Sequence, residues 1–419
     1  MTVQLDEQKR LPLVWQTSSS FADMKVEWPI RKLAEVCQIK PPKAEARRRL
    51  SETDTVSFVP MEDMGIDQKI FLSTQSRPLA EVAGNYTYFA EGDVLLAKIT
   101  PCFENGKLGI AANLINGIGF GSSEYIVFRP NESVDKEWLY YFLSRETFRL
   151  EGAAHMSGAV GHKRVTKEFI ESYPIPIPPL PEQQRIVGIL DEAFAGIAIA
   201  KANAAKNLQN ARALFESHLQ AVFSQRGEGR FDTTLGNVCE FAGGSQPPKS
   251  AFEKIKTVDN IRLIQIRDYK SDRHIIYIPR SLARRFCKAD DVMIGRYGPP
   301  LFQILRGLEG AYNVALMKAV PDESKLSRDF LFYFLKHSTI LQYVIYHSER
   351  AAGQIGVTKE TLAPYPISLP SLADQQIVVE TVLKLDKETQ RLESIYQQKL
   401  AALDALQKSL LHQAFSGQL

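Results

Sequence analysis

Residues 173–184, YPIPIPPLPEQQ, return 192 positions later as YPISLPSLADQQ at residues 365–376. Each copy is a proline-containing run that leads into a long segment without interior proline. Because proline fixes φ and removes a backbone donor, the first copy can form neither a helix nor a central strand. The repeat predicts two extended connectors, each followed by a helix, and therefore a chain built twice on one plan.

Two long helices are predicted after the connectors. Residues 217–224, SHLQAVFS, match residues 409–416, SLLHQAFS, at the same offset of 192. Over about 60 positions no insertion separates the copies, as a continuous helix requires. Apolar residues recur at spacings near 3.5, which is typical of paired helices. The predicted seam residues are Ile186, Leu190, Ala193, Ile197, Ala200, Ala204, Leu208, Ala211, Phe215 and Leu219 in the first helix, and Val378, Val382, Leu385, Leu392, Tyr396, Leu403, Leu406 and Leu410 in the second, with Thr389 and Lys399 also at seam positions. The small first seam and the bulky second seam are complementary in volume, so we infer that the two helices pair with each other.

The regions before the connectors correspond more loosely. LAEVC at 33–37 matches LGNVC at 235–239 with an offset of 202, whereas GDVLL at 92–96 matches DDVMI at 290–294 with an offset of 198. Drifting offsets indicate loop insertions, so we expect two globular domains with a common scaffold and different surfaces. Apolar runs predict strands in mixed α/β domains, and a glycine-rich stretch predicts a turn between them. The predicted strands are 93–97, 125–128 and 291–294, and the glycine-rich stretch is 117–121.

Composition narrows the class of protein. The 419 residues are 44% hydrophobic and 24% charged, as in ordinary globular proteins, and no apolar run reaches the roughly 18 residues that span a bilayer. The four cysteines form no CxxC pair, which favours reduced, buried thiols over disulfides or a zinc site. Neither a GxxxxGK[ST] loop nor an HExxH or GxSxG motif occurs, and GIGFGS at 117–122 fails the GxGxxG pattern at Ser122. These observations favour a binding protein over an enzyme.

Basic residues are concentrated in two stretches, although the net charge is only +3. Residues 40–50, KPPKAEARRRL, carry five basic residues against one glutamate, and residues 262–285 carry seven against two aspartates. Local basic surface on a nearly neutral protein fits a phosphate-binding face. Either stretch alone also fits a solvated loop.

The whole pattern resembles the specificity (S) subunit of Type I restriction-modification systems, over nearly the entire chain. The resemblance is carried by the duplicated connector Y-P-I-x-x-P-x-L-x-[ED]-Q-Q, by DVLLAKITPCFENGK at 93–107 and by DVMIGRYG at 291–298. It implies two mixed α/β target-recognition domains, each reading one half of a bipartite, asymmetric DNA site. Between them, two conserved helices would form an antiparallel coiled coil with pseudo-twofold symmetry. The implied division is an N-terminal extension at 1–24, target-recognition domains at 25–150 and 228–345, and connector-plus-helix regions at 151–227 and 346–419.

The resemblance also implies partners. The helices would set the half-site spacing and dock two modification subunits, which bind S-adenosylmethionine and methylate adenine. Restriction subunits that use ATP and Mg would complete the complex. The chain itself is expected to hold no catalytic centre, metal or cofactor, and to work on DNA in the cytoplasm of a bacterium or archaeon.

Candidate DNA contacts are basic, amide and hydroxyl side chains, which bind phosphates or read base edges. They are Arg47, Arg48, Arg49, Lys98, Asn105, Lys107, Ser122 and Ser123 in the first domain, and Arg262, Gln265, Arg267, Lys270, Arg273, Arg296, Tyr297 and Arg306 in the second, with Lys163, Arg164 and Gln354 close to the connectors. A second set opens the helices, namely Glu182, Gln183, Gln184, Asp374, Gln375 and Gln376. The acids suit the helix macrodipole. We expect the glutamines either to hold the junction between domain and helix or to contact a modification subunit.

Three other interpretations stay open at this point. The chain could serve as an S-like subunit of a Type II-like restriction and methyltransferase complex, which differs in its partner and not in its mechanism. It could be a self-sufficient DNA-modifying enzyme. A structural coiled-coil protein without a role on DNA is the third, and it predicts no salt-sensitive DNA binding.

Overall fold

The computed structural model describes residues 28–159, 161–349 and 356–419, so the predicted extension at 1–24 lies outside the described residues. The chain divides into two units, Met1–Lys201 with Ala401–Leu419 and Ala202–Leu400. Each unit combines a mixed α/β domain with part of each of two long helices, which confirms the predicted fold class. The finer five-part division stays a prediction.

The first unit alternates short strands and short helices before the first long helix. Its described strands are β1 (Ile30–Lys32), β2 (Cys37–Ile39), β3 (Thr55–Val59), β4 (Ile70–Phe71), β5 (Gln75–Pro78), β6 (Thr87–Ala90), β7 (Val94–Ala97), β8 (Leu108–Ala111), β9 (Ile118–Gly121), β10 (Tyr125–Pro130), β11 (Met156–Ser157), β12 (Arg164–Val165) and β13 (Pro174–Pro176). Its helices are α1 (Leu33–Val36), α2 (Ala44–Arg49), α3 (Leu79–Val82), α4 (Lys136–Ser144), α5 (Glu146–Ala154), α6 (Lys167–Ser172) and α7 (Leu180–Phe223), the last of which continues into the second unit.

Two sheets form the centre of the first unit, with strand orders β2-β10-β7-β8-β4 and β5-β3-β9-β6. All four residues of β7 are buried because the strand is covered on both faces. Val94 and Leu96 pack into the core that contains α4, whereas Leu95 faces a separate core on the other side. The strands predicted at 93–97 and 125–128 are confirmed as β7 and β10.

The glycine-rich stretch 117–121 is mostly strand β9 and not the predicted turn. This strand lies between β3 and β6. A Cβ on Gly119 would lie 2.1 Å from the ring of Phe89, and a Cβ on Gly121 would lie 2.3 Å from the carbonyl oxygen of Val59. The glycines therefore allow a close approach of neighbouring groups within a sheet.

The second unit follows a similar order with fewer described strands and helices. Its described strands are β14 (Phe231–Thr234), β15 (Cys239–Gly243), β16 (Asn260–Ile264), β17 (Tyr277–Pro279), β18 (Phe286–Cys287), β19 (Val292–Gly295), β20 (Gln303–Leu305), β21 (Gly310–Tyr312), β22 (Leu316–Pro321) and β23 (Pro366–Leu369). Its helices are α8 (Leu235–Val238), α9 (Arg328–Lys336), α10 (Ser338–Glu349), α11 (Lys359–Leu362) and α12 (Leu372–Ser416), the last of which continues into the first unit.

The sheets of the second unit have the orders β15-β22-β19-β20 and β17-β16-β21-β18. Strand β19 confirms the prediction at 291–294 and is the counterpart of β7. In both units the aspartate before the strand accepts a hydrogen bond from a backbone N–H three residues earlier, Asp93 from Ala90 at 2.7 Å and Asp291 from Lys288 at 2.9 Å. The aspartate at the head of each strand thus holds the turn that precedes it.

Helices α7 and α12 contain 44 and 45 residues and pack against each other in both units. In the first unit Lys201 pairs with Asp404 at 2.6 Å and donates to Gln407 at 2.9 Å, and Arg185 donates to the carbonyl of Leu419, beyond the end of α12, at 2.8 Å. In the second unit Arg212 pairs with Glu393 at 2.7 Å, and Leu219 and Val382 share a core. Residue numbers rise along α7 as they fall along α12, so the pairing is antiparallel in each unit. Among the described helices, none is both long enough and apolar enough to cross a membrane.

The seam predicted for α7 is confirmed, since all of its residues are buried or half-buried. In α12, Val382 and Thr389 are buried as predicted. However, Leu392 and Leu406 are 39% and 47% exposed, and Lys399 is also exposed. A strict 3.5-residue repeat drifts around a helix with 3.6 residues per turn, so the prediction is wrong at these three positions.

Each connector forms an antiparallel two-stranded sheet, β13 with β1 and β23 with β14. The carbonyl of Tyr173 accepts from the N–H of Leu33 at 3.0 Å, and the carbonyl of Tyr365 accepts from the N–H of Leu235 at 2.9 Å. A two-stranded sheet has no central strand, so its prolines are tolerated. Pro181 stands in the first turn of α7, where no N–H is needed. The extended path predicted for the connectors is confirmed.

Candidate nucleic-acid interface and helix junctions

Gln183 joins the first domain to α7 through its side-chain amide. The residue is completely buried. Its Oε1 accepts from the backbone N–H of Asp135, the N-cap residue of α4, at 2.8 Å. Its Nε2 donates to the carbonyls of Ser133 and Pro178, both at 2.8 Å. One amide therefore ties the loop before α4, the connector and the start of α7 together.

Gln375 makes the same three bonds in the second unit. Its Oε1 accepts from the N–H of Ser327, the N-cap of α9, at 2.9 Å, and its Nε2 donates to the carbonyls of Lys325 and Pro370 at 2.7 and 3.1 Å. Every partner lies 192 residues beyond its counterpart in the first unit. The junction is thus repeated bond for bond.

The neighbours of these glutamines face outward. Gln184 and Gln376 are exposed, and the latter donates to Glu380 at 3.1 Å. Glu182 pairs with Arg185 at 2.7 Å, and this hydrogen bond holds the pKa of the glutamate below its usual value. The hydroxyl of Ser371 donates to the carboxylate of Asp374 at 2.7 Å and accepts from the N–H of Asp374 at 3.2 Å, so Ser371 caps α12. Gln183 and Gln375 therefore hold the junctions between domain and helix. A contact with a partner subunit stays a prediction for the exposed residues.

Lys98 and Arg296 occupy equivalent positions directly after β7 and β19. Nζ of Lys98 donates to the carbonyl of Ser123 at 2.9 Å, and a guanidinium nitrogen of Arg296 donates to the carbonyl of Val314 at 3.3 Å. Strand register makes these two carbonyls equivalent. A cation at this place therefore holds the turn that precedes β10 in the first unit and β22 in the second.

The surroundings of the two cations differ. Lys98 lies 4.0 Å from Glu124, which also accepts two hydrogen bonds from Arg164 at 2.9 and 2.7 Å. The bonds from Arg164 hold the pKa of Glu124 below its usual value, whereas burial lowers the pKa of Lys98. Arg296 instead donates to the carbonyl of Val357 at 2.8 Å.

The other candidates of the first unit separate into exposed and inward-facing groups. The exposed ones are Arg47, Arg48 and Arg49 on α2, Asn105, Ser123 and Lys163. Lys107 is half-buried and donates to the carbonyl of Met61 at 2.7 Å. The hydroxyl of Ser122 accepts from the N–H of Glu124 at 3.2 Å. Lys107 and Ser122 thus support turns, and DNA contact stays a prediction for the whole group.

In the second unit, residues 262–273 form a polar cluster. Arg262 lies 3.1 Å from Asp272 and 4.0 Å from the buried Asp268, which accepts from the N–H of Gln265 at 3.0 Å. Burial raises the pKa of Asp268. The exposed cations of the cluster are Arg267, Lys270 and Arg273. Arg262 is therefore paired with aspartates of the same cluster, whereas the three exposed cations have no ion pair among the described residues.

The last candidates make their described contacts outside this cluster. Arg306 pairs with Asp329 of α9 at 2.5 Å and covers the ring of Phe332, so it faces the helical scaffold. Tyr297 lies beside Arg296, whose guanidinium is 5.1 Å from its ring centroid. Gln354 lies outside the described residues.

Lys40 and Lys43 were missed as individual candidates, although they belong to the basic stretch at 40–50. They line a cleft together with Lys98, which is distant in sequence. Burial and the neighbouring charges of Lys40 and Arg47 lower the pKa of Lys43. The positive φ of Lys40, 60°, has no signature in a single sequence.

Within the described ranges, no group of three or more His, Cys, Asp or Glu side chains could hold a metal ion. The described cysteines are free. Burial raises the pKa of the Cys37 and Cys239 thiols to about 12, so both stay protonated at neutral pH.

Comparison with known proteins supplies the family. Residues 25–209 and 232–401 match the family model of the Type I restriction modification DNA specificity domain. The specificity subunit of the Type I restriction enzyme EcoAI from Escherichia coli is 34% identical over 184 residues, which are 44% of this chain and 30% of that protein. The EcoEI specificity subunit from Escherichia coli is 39% identical over 168 residues, 38% of this chain and 27% of that protein. The matched regions thus span less than a third of either relative.

Solved structures share the fold. One is a chain from a study of complex assembly and conformational transition of the type I R-M system, with a TM-score of 0.77, 21% identity and coverage of 95% of this chain and 100% of that chain. The HsdS subunit from Thermoanaerobacter tengcongensis has a TM-score of 0.61, 21% identity and coverage of 94% and 98%. The family model covers most of the residues in both units, and the chain therefore belongs to the family of Type I restriction modification DNA specificity domains.

Proposed function

We propose that this chain is the DNA sequence-specificity subunit of a Type I restriction-modification complex. Each α/β unit reads one half of a bipartite, asymmetric site, and the two long helices set the half-site spacing. The observation that carries the proposal is that the two domain-to-helix junctions are the same in both units, whereas the polar surfaces of the two domains differ. Gln183 and Gln375 make identical bonds, whereas the polar surfaces around Lys98 and Arg296 differ. One scaffold that presents two different surfaces suits a site with two unrelated halves.

The chain has a recognition role and no catalytic role in this proposal. Two modification subunits bring S-adenosylmethionine and methylate adenine, and restriction subunits bring ATP and Mg. The exposed cations of both units supply attraction to DNA phosphate, which is sequence-independent and weakens with salt. Amide and arginine side chains such as Gln265 and Arg267 are suited to base edges.

Exposed leucines on the long helices favour a partner that binds twice. Leu214 and Leu406 are 192 residues apart and are 64% and 47% exposed. Leu180 and Leu372 form a second exposed pair at the same offset. Equivalent apolar surface on both halves of a pseudo-twofold scaffold suits two copies of one subunit. We assign these positions to the two modification subunits.

Methylation mapping tests the recognition role. The chain is co-expressed with the modification subunits encoded beside it, and N6-methyladenine is mapped across the host genome. We expect methylation at one gapped, bipartite motif that disappears when this chain is omitted. Methylation that is independent of the chain, or methylation or cleavage of DNA by the purified chain alone, would contradict the proposal.

Native mass spectrometry tests the docking positions. Leu406→Glu and Leu214→Glu should each lower the number of bound modification subunits from two to one, and the double variant should bind none. Leu282→Glu is the matched control, since Leu282 is also an exposed leucine but lies between β17 and β18, outside the long helices. Two bound subunits in the double variant would refute this assignment.

A further inference from the structure

A cleft of about 510 Å³ lies in the first unit, where several chain segments converge. Lys40 follows β2, Lys43 precedes α2, Lys98 follows β7, and Ser123 precedes β10. Tyr86 and other aromatic and aliphatic groups also line it. The cleft thus combines a largely apolar wall with three ammonium groups, two from the loop between β2 and α2 and one from the end of β7.

The acids around the cleft are already paired with cations. Glu124 accepts two hydrogen bonds from Arg164. Glu45 lies 2.6 Å from Arg129, and Glu171 lies 3.3 Å from Lys167. Among the described residues, Lys40 and Lys43 therefore have no ion pair, and Lys98 shares Glu124, at 4.0 Å, with Arg164.

Two of the lysines are held in place by backbone carbonyls. Lys43 donates to the carbonyl of Gly84 at 2.6 Å, and Lys98 donates to that of Ser123 at 2.9 Å. An ammonium group has three N–H donors, so each lysine keeps donors for another acceptor. The two side chains are therefore positioned before any ligand arrives.

Lys40 completes the cluster at some conformational cost. Its φ of 60° is in the left-handed region that residues other than glycine and asparagine rarely adopt. Its N–H donates to the carbonyl of Val127 at 2.8 Å, which fixes this backbone conformation. Its charge also acts on both Lys43 and Lys98 and helps to lower their pKa values, after burial. A strained residue that brings like charges together is typical of a binding site.

We propose that Lys40, Lys43 and Lys98 form a subsite for a phosphodiester of the DNA backbone, specific to the first unit. This inference rests on the proposed function and names one place where the chain would bind the DNA backbone. The subsite contributes affinity and register, and the base sequence is read elsewhere.

Binding of a 30-bp duplex that carries the mapped motif tests the subsite in the complex with modification subunits. Lys40→Gln should weaken binding roughly 3- to 10-fold, as expected for one charged hydrogen bond, and should lower the slope of log K against log salt by about 0.9. Lys136→Gln, an exposed lysine at the start of α4 and outside the cleft, should leave both quantities unchanged. The methylated motif should be the same in every variant.

Neutral methylphosphonates, placed at single backbone positions of the duplex, locate the contact. Wild-type complex should lose affinity at one or two phosphates of a single half-site, and Lys40→Gln should lose nothing further there. If Lys40→Gln folds poorly, the same measurement is made with Lys98→Gln, which changes a lysine in a different segment. Equal losses in wild type and variant, or an unchanged salt slope, would overturn the subsite. If wild-type complex does not prefer the motif duplex to a scrambled one, the proposed function itself fails.

Discussion

Replacing Gln183 by methionine should destabilise the first unit strongly. Methionine has a similar length and fills similar space, so little cavity forms, but it cannot replace the three hydrogen bonds of the amide. Each net hydrogen bond contributes about 1 kcal/mol, and a buried group left unpaired costs about 1–3 kcal/mol. We therefore expect the free energy of unfolding to fall by about 3 kcal/mol.

Hydrogen exchange of the full chain, read by mass spectrometry, measures this loss where it occurs. The N–H of Asp135 donates to Gln183, so peptides that cover the start of α4 should exchange faster in Gln183→Met. Urea unfolding gives the overall magnitude. Gln184→Met is the matched control, and because Gln184 is exposed its effect should stay within about 0.5 kcal/mol.

The second unit supplies an internal repeat of the experiment. Gln375→Met removes the same three bonds and should cost about the same, with faster exchange at the start of α9. A loss below about 1 kcal/mol for Gln183→Met, or an equal loss for Gln184→Met, would refute the junction role. Unchanged assembly with modification subunits after Gln184→Ala and Gln376→Ala would remove the partner-contact interpretation of the exposed glutamines.

Two further predictions concern buried charge. Arg129→Met should lower the free energy of unfolding by about 3–5 kcal/mol in a urea titration, because Asp93, 1% exposed, loses its bidentate partner at 2.7 and 2.8 Å; a loss below 1 kcal/mol would show that Asp93 does not need this cation. Burial lowers the pKa of His337 below its usual 6.5. As the pH falls, the unfolded chain therefore binds this proton before the folded chain does. The contribution of neutral His337 to the free energy of unfolding is complete above pH 6.5 and is lost as the pH falls toward the folded-state pKa. The variant His337→Phe should reduce this acid sensitivity in melting curves recorded between pH 7.5 and 5, and an unchanged curve would contradict it.

The repeated parts of the fold were predictable because a helix preserves register. The constant offset of 192 located both connectors and both long helices, and it marked Gln183 and Gln375 as equivalent. The hydrogen bonds that make the two glutamines equivalent could not be predicted from the sequence. Whether an amide at the start of a helix turns inward or outward depends on loops about 50 residues away, at Ser133 and Lys325, which the local sequence does not position.

The surface was harder to predict for physical reasons of two kinds. Leu406 sits at a heptad position, but small angular drifts accumulate along a helix and place it on the outer face. Lys40, Lys43 and Lys98 meet only because β2, α2 and β7 are folded together. A linear pattern shows the first two as one basic stretch and gives no reason to add the third.

The equivalence of Lys98 and Arg296 bears on where specificity resides. Both cations donate to the same turn of the scaffold, at Ser123 and Val314, so at least one donor of each is committed to holding the fold. A contact that both readers share cannot distinguish two unrelated half-sites. In the proposed function, discrimination therefore comes from segments that the two units do not share, such as the arginines at 47–49 on α2 in the first unit and the polar cluster at 262–273 in the second.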